Sequence, residues 1–255
     1  MSTPQGAFAA LARDGGRGAL VTALTGARPG AKLLVAADRA TLGTLGAAGL
    51  DAVGVGVAEA AMWEERARRH TIGDLDLFVD VTFPPPRLVI FGAVDFAAAL
   101  CRTARATGWR PFVVDPRERF AQPARFPDAE AVVTAWPEQA MARIGPIDRA
   151  TAVAVVTHDP KVDDAALVLA LASDAGYIGA MGSRRAQARR RERLLALGVS
   201  EADLGCIAAP IGLDLGGVTA EETALSIMAE VVAVKRGHAG GRLAHTGGAI
   251  HEAAA

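Results

Sequence analysis

The eleven residues Arg87-Leu88-Val89-Ile90-Phe91-Gly92-Ala93-Val94-Asp95-Phe96-Ala97 decide the fold. Four apolar residues run without a polar break, a glycine follows, and a helical pattern begins. That is the layout of strand, tight turn and helix start. A strand apolar on both faces must be covered on both sides, as in a parallel sheet held between two layers of helices. Working outward, further short apolar runs fall at 111–114, 131–133 and 152–156. Helical patterns at 96–106, 138–143, 164–173, 184–197 and 221–236 separate or follow them. Strands alternating with helices predict an α/β fold with a Rossmann-like, doubly wound parallel sheet.

Upstream, Pro84-Pro85-Pro86 marks a boundary, because prolines can enter neither a helix interior nor a central strand. Residues 1–83 read as a smaller α+β module, with strands at 18–24 and 32–36 and a helix at about 57–70 that carries Met62 and Trp63 on its apolar side. Leu75, Leu77, Val79, Val81 and Phe83 alternate with Asp74, Asp76, Asp80 and Thr82, the two-residue period of a strand with one wet face. Residues 84–237 form the Rossmann-like domain. The Gly/His/Ala-rich stretch 238–255 has no periodicity and is expected to be a disordered tail.

Composition narrows the function. Apolar residues make up 51% of the 255 and aromatics only 5%, so the core has to be built from Ala, Val, Leu and Ile. Lys and Arg number 27 against 28 Asp and Glu, and this balance gives no pull toward nucleic acid or an anionic membrane. The two cysteines, Cys101 and Cys206, form no CxxC pair from which a zinc or thioredoxin-like site could be made. No segment approaches the roughly 20 apolar residues of a membrane span, and no basic residue precedes the first apolar stretch. The expectation is a soluble, cytoplasmic protein with no metal site of its own.

Gly92 supplies the tight turn of a dinucleotide fingerprint. Asp115, closing the next strand, stands near the roughly 20-residue spacing of a ribose-binding acid. The middle glycine of the fingerprint is replaced by Val94, whose branched side chain obstructs a pyrophosphate. Asp95 adds negative charge where phosphate would sit, and reads as an N-cap.

Four further segments lie near strand ends or helix starts. In Thr157-His158-Asp159-Pro160-Lys161-Val162-Asp163, His158 is an acid/base or ligand candidate that Asp159 or Asp163 could orient; equally, the acids could cap the next helix. Gly182-Ser183-Arg184-Arg185 opens a helix whose free N–H groups favour an anion, while the later arginines 189–191 and 193 read as a solvated surface. Pro210, Gly212 and Asp214 belong to a tight loop, Ala209 to Gly217, suited to close approach or to an ordinary turn. Thr219 and Glu222 have the spacing of a capping box.

Taken in order, Thr157 to Leu167, Tyr177 to Arg185, Ala209 to Gly217 and Thr219 to Ala233 resemble the C-terminal domain of the XdhC/CoxI family, from about Arg87 to Gly237. The resemblance implies a helper that binds the molybdenum cofactor (molybdopterin) and delivers it to a molybdenum hydroxylase of the xanthine or carbon monoxide dehydrogenase type. It also implies a cofactor sulfurase as a further partner, and a homodimer. It places a cysteine of a Gly-Gly-Cys motif at Gly49, within Gly43 to Asp51, and a Gly-Ala-Gly-His turn at Gly92 to Asp95. The loop before the first of these is shortened to Gly26-Ala27-Arg28-Pro29-Gly30. A second reading keeps the scaffold as an NAD(P)-dependent oxidoreductase, with Asp115 on the ribose and His158 as proton donor.

Overall fold

The N-terminal residues build an antiparallel sheet with a long helix across one face. The computed structural model describes residues 3–247. Its elements up to Pro84 are α1 (Pro4–Arg13), β1 (Gly18–Ala23), β2 (Lys32–Ala36), β3 (Thr41–Thr44), α2 (Ala48–Glu64), β4 (Arg68–Ile72) and β5 (Leu75–Thr82). The strands lie in the order β3-β2-β1-β5-β4, every neighbour antiparallel. Val21, Leu33, Leu77 and Val79 point to one face and bury Ala58, Ala61 and Met62 of α2. The expected alternation of β5 holds, since Leu77 and Val79 are sealed while Phe78 stays exposed. The opposite face is not wet throughout: α1 packs on β1 and β2, and Leu20 and Leu34 are buried there.

The helix expected at 57–70 lies elsewhere. α2 runs Ala48–Glu64, closes on Glu65 in the left-handed region at φ 56°, and residues 68–72 pair with β5 as a strand. Gly49, Gly54 and Gly56 hid its first half, each costing about 1 kcal/mol of helix propensity relative to alanine. Tertiary packing outweighs that cost, because a Cβ on Gly54 would lie 2.7 Å from Leu45 Cδ1 and 3.1 Å from Leu33 Cδ2. Arg17 braces the closing turn. It is buried, donates to the Met62 carbonyl at 2.9 Å and to Glu65 at 3.0 Å, and lies over the Trp63 ring.

The second unit, Pro85–Thr246, contains β6 (Arg87–Phe91), α3 (Asp95–Ala106), β7 (Arg110–Val114), β8 (Ala131–Val133), α4 (Pro137–Ile144), β9 (Thr151–Val155), α5 (Pro160–Leu171), β10 (Tyr177–Ala180), α6 (Arg184–Ala196), α7 (Glu201–Leu204), β11 (Ile207–Ala208) and α8 (Ala220–Lys235). Its strands are all parallel, in the order β11-β10-β9-β6-β7-β8. Counted from β6 as first, that is the 3-2-1-4-5-6 order of a doubly wound Rossmann sheet.

Successive strand residues feed opposite cores. Leu88, Ile90, Val113 and Ala154 pack with α3 and α8, while Val89, Phe91, Val114 and Val155 pack with α4, α5 and α6. Two strands of this unit escaped the sequence reading, β10, of four residues including Gly179, and β11, of two, as β3 and β4 did in the first unit. Of the presumed tail, residues 238–247 hold one 3-10 turn, Leu243–His245, and 248–255 lie outside the described residues.

The tight seat of α2 is testable. Gly54→Val is expected to destabilise the protein by about 1–3 kcal/mol through overpacking against Leu45 and Leu33. Urea denaturation measures this, and an unchanged midpoint would mean that the helix does not approach the sheet so closely.

Candidate functional site

Because the six strands are parallel, the loops that follow β6, β7, β9, β10 and β11 leave the sheet at one edge. The chain winds one way from β6 to β7 and β8 and the other way from β9 to β10 and β11. The switch point, where an open α/β sheet offers its crevice, therefore lies between the ends of β6 and β9. Gly92 and Thr157 meet there. Gly92 sits at φ 131°, and a Cβ on it would come 2.9 Å from Thr157 Cγ2 and 3.0 Å from the Thr157 nitrogen. The turn has to be glycine for both reasons.

Asp115 is turned inward from this turn. Its side chain is fully buried and accepts from the Ala93 N–H at 2.9 Å and the Arg117 N–H at 3.0 Å. The Arg117 guanidinium closes on both oxygens, Nε at 2.9 Å and Nη2 at 2.8 Å. Burial pushes this carboxyl up, but the hydrogen bonds from Arg117 and from the two backbone N–H groups outweigh it and hold Asp115 below the usual carboxylate range. Four bonds leave no lone pair facing the crevice for a ribose hydroxyl. Asp95 is not the N-cap either. Val94 occupies that position, and Asp95 reaches Arg125 at 2.7 Å, whose guanidinium also donates to the carbonyls of Ala93 and Phe120.

The β9 loop separates the three residues grouped there by sequence. Asp159 caps α5 by accepting from the Lys161 N–H at 3.0 Å. Asp163 is buried one turn further on, where it accepts from the Thr157 hydroxyl at 2.6 Å and from Arg190 at 3.0 Å. Among the described residues no hydrogen bond or ion pair reaches the exposed His158 ring. The residue itself holds a left-handed backbone at φ 62°, uncommon for a side chain of this size. Arg117 links the loops electrostatically: its hydrogen bond to Asp115 raises it, burial opposes, and the charges of Asp115, Asp159 and Asp163 add to the rise.

The arginines of α6 divide by face. Arg190 is buried, where besides Asp163 it donates to the Met181 carbonyl at 2.9 Å and to Gln187. Arg193 forks onto Asp164 at 2.6 and 2.9 Å, and Arg191 pairs with Glu201. The expectation of a solvated surface thus fails for Arg190, and for the half-buried Arg193, because their partner acids lie far off in sequence on α5, while Arg189 and Arg191 are exposed. Arg184 and Arg185, in the first turn, are exposed, and among the described residues no carboxylate pairs with them. Ser183 is the N-cap, accepting from the Ala186 N–H at 3.3 Å, and Gly182 before it stands at φ 137°.

The last loop is anchored from below. A cis peptide joins Ala209 to Pro210, the Gly212 N–H donates to Glu230 at 2.8 Å, and the Tyr177 hydroxyl donates to the same carboxylate oxygen. Gly212, at φ 99°, approaches Ser226 so closely that a Cβ would lie 2.5 Å from its hydroxyl. Asp214 and the residues up to Thr219 are exposed, and Thr219 and Glu222 complete the capping box of α8. Sequence reasoning missed Arg117, Arg190 and Glu230, which hold the loops from beneath. Among the described residues no group of three or more His, Cys, Asp or Glu side chains is placed to hold a metal ion. Burial pushes the Cys101 thiol up to about 12, with the Asp128 charge adding, and makes it a small hydrophobe.

Strand order, parallel register and a loop-lined edge around a glycine turn define a doubly wound Rossmann-type domain. Residues 88–231 match the family model of the XdhC Rossmann domain, and the chain belongs to the XdhC family. It is 30% identical over 161 residues to a probable xanthine dehydrogenase subunit from Bacillus subtilis, covering 63% of this chain and 46% of that one. It is 31% identical over 152 residues to the molybdenum cofactor insertion chaperone PaoD of Escherichia coli, covering 60% and 41%. The chain thus spans less than half the length of these curated relatives. The crystal structure of a xanthine dehydrogenase from Bacillus halodurans superposes with a TM-score of 0.61 at 22% identity, over 91% of this chain and 66% of that one, a likeness of fold.

Two consequences can be measured. Asp163→Asn leaves a buried guanidinium without its counter-charge and is expected to cost about 3–5 kcal/mol in denaturant unfolding. A loss under about 1 kcal/mol would show that the pair is solvated. Asp115, depressed in the folded state, contributes stability above its unfolded value of about 3.9, and this is lost as pH falls through the lower folded value. The stability gap between the wild type and Asp115→Asn should therefore be flat above about pH 5 and close below about pH 4. A gap independent of pH would rule out an ionised Asp115.

Proposed function

We propose that this chain is an accessory protein that takes a molybdopterin-type cofactor as cargo, holding it by its phosphate at the sheet edge, for delivery to a molybdenum hydroxylase of the xanthine or carbon monoxide dehydrogenase type. The observation that carries the reading is the pair Arg184 and Arg185. They are exposed cations, unpaired among the described residues, on the first turn of a 13-residue helix at the ligand edge of a Rossmann sheet, in a chain of the XdhC family. Like charge there works against the helix dipole, and an anion bound to the free N–H groups relieves it. Gly182 and Ser183 shape that turn. His158, exposed at the switch point, and the loop through Pro210, Gly212 and Asp214 are assigned to the pterin side of the cargo.

One named relative, the insertion chaperone PaoD, supports the cargo class. A sulfurase partner and a cytoplasmic location go with this reading. Gly49, where the resemblance places a cysteine, supplies no thiolate, so the cargo's metal is not gripped from that position. The NAD(P) oxidoreductase reading is not adopted, because Asp115 is spent on Ala93 and Arg117, and Val94 stands where bare backbone would meet a pyrophosphate.

Calorimetric titration of the purified chain with a molybdopterin cofactor preparation, NADH and NADPH tests this. The pterin is expected to bind and the nicotinamides not to. Arg184→Ala and Arg185→Ala are each expected to weaken binding about tenfold, the effect of one charge-assisted hydrogen bond. Binding of NADH, or pterin binding indifferent to both arginines, would overturn the assignment.

A further inference from the structure

A trough of about 830 Å³ runs along the outer face of α5, between α4 and α6, and the proposed cargo site uses none of its side chains. Its floor is the stripe Lys161, Ala165, Val168 and Ala172, which at about 100° per residue stays within a sector roughly 60° wide. The small side chains keep this floor low over a length of about 16 Å. Trp136 on one wall and Leu197 on the other stand 44% and 62% exposed. Polar groups gather at one end. α4 follows β8 and α5 follows β9, so Trp136 and Lys161 both stand where their helices leave the carboxyl edge of the sheet. Glu138 and Gln139, in the first turn of α4, belong to the same end. Among the described residues no ion pair or hydrogen bond reaches the side chains of Lys161, Glu138 or Gln139. Arg193 is spent on Asp164, which cancels its charge. Lys161 and Glu138 balance as well, so the lining has no net charge and gives an anion no advantage.

We propose that this pocket is a separate binding site for a neutral, planar nitrogen heterocycle with a lactam edge, the adjacent C=O and ring N–H shared by guanine-type purines and pterins. The ring lies on the exposed face of Trp136, where stacking holds a flat π-system. Its N–H groups donate to the Glu138 carboxylate, its carbonyl accepts from the Lys161 ammonium, and the Gln139 amide serves either. Substituents of the ring extend along the apolar floor toward Leu197. The volume falls within the range of about 300–1,000 Å³ typical of small-molecule pockets, and an apolar lining with a few convergent polar groups is their usual make-up. A row of small residues alone would name no occupant; an aromatic face with opposite charges beside it does. The site does not rest on the cofactor reading, since none of its residues is assigned to the cargo.

Guanosine, neopterin and adenosine are titrated into the full chain, read by calorimetry and, for the nucleosides, by quenching of tryptophan emission. Trp136 is the reporter, since Trp109 is buried and Trp63 lies against Arg17. Guanosine and neopterin are expected to bind, and adenosine, whose edge reverses donor and acceptor, about tenfold more weakly. Trp136→Ala should weaken guanosine about fivefold or more at an unchanged melting temperature, while Trp136→Phe retains it. Glu138→Ala should narrow the gap between guanosine and adenosine. Whichever of guanosine and neopterin binds tighter assigns the pocket to purines or to pterins. Arg184→Ala should leave guanosine binding unchanged, which keeps this test apart from that of the cargo site. No binding of either lactam ligand at millimolar concentration would overturn the proposal. So would binding indifferent to Trp136→Ala, or adenosine binding as tightly as guanosine.

Discussion

Between the ends of β6 and β9 two stretches of backbone come so close that one of them can carry no side chain. The ladder from Arg87↔Thr151 to Phe91↔Val155 extends one step further, the Val156 N–H donating to the Phe91 carbonyl at 2.9 Å. That extra step brings Thr157 against Gly92. The turn after β6 is thereby fixed, and with it the Ala93 N–H that Asp115 accepts from and the direction in which α3 sets out. Thr157, held on the other side, orders the β9 loop: its hydroxyl accepts from the Asp159 N–H at 2.8 Å and donates to Asp163. A single close approach thus positions the loops on both sides of the switch point.

Several acids at this edge are turned inward and paired. Asp115, Asp163 and Asp164 are buried or nearly so, and each is matched by an arginine from elsewhere: Arg117, Arg190 and Arg193. Buried pairs add little net stability, since desolvation offsets most of the attraction, but removing one partner is severe. They therefore act mainly as fixed struts. Outward stand the cations Arg184, Arg185 and Lys161 with the His158 ring, and the carboxylates of Asp95 and Asp214. At the start of α6, where Arg184 and Arg185 face outward and Asp163 and Asp164 face inward, the balance suits an anionic ligand.

The parallel sheet was legible because a strand buried on both faces must be continuously apolar, and Leu88 to Phe91 is. The loops at its edge were legible for the same reason, as they follow from where the apolar runs stop. α2 was not, because glycines at 49, 54 and 56 obscure a helix whose stability comes from its packing on Leu33 and Leu45. Nor were the partners of the α6 arginines: Asp163 and Asp164 lie more than twenty residues away, and a helical wheel of α6 alone shows charges on every side. Asp115 is the instructive case. Its spacing from Gly92 is that of a ribose ligand, yet spacing cannot say that Arg117, two residues on, will fold back and occupy both oxygens.

Gly49 bears on how a cargo could be held. A Cβ there would meet no atom within 4 Å, and the residue lies in ordinary helical backbone, so the fold does not demand glycine at that position. Asp51, two residues on, ties down the strand end before the helix, accepting from the Leu45 N–H at 2.6 Å and the Thr44 hydroxyl at 2.8 Å. A side chain at 49 would be free for other duty, and none is present. Cys101 offers no alternative thiolate, since burial keeps it protonated. Under the proposed reading, retention therefore falls to the phosphate end of the cargo, at Arg184 and Arg185, where the hold is electrostatic and reversible. Soft sulfur coordination from position 49 is not available to compete with a recipient. A carrier that grips the phosphate and leaves the metal end free is suited to transfer, because the recipient's ligands can engage the metal before the arginines let go.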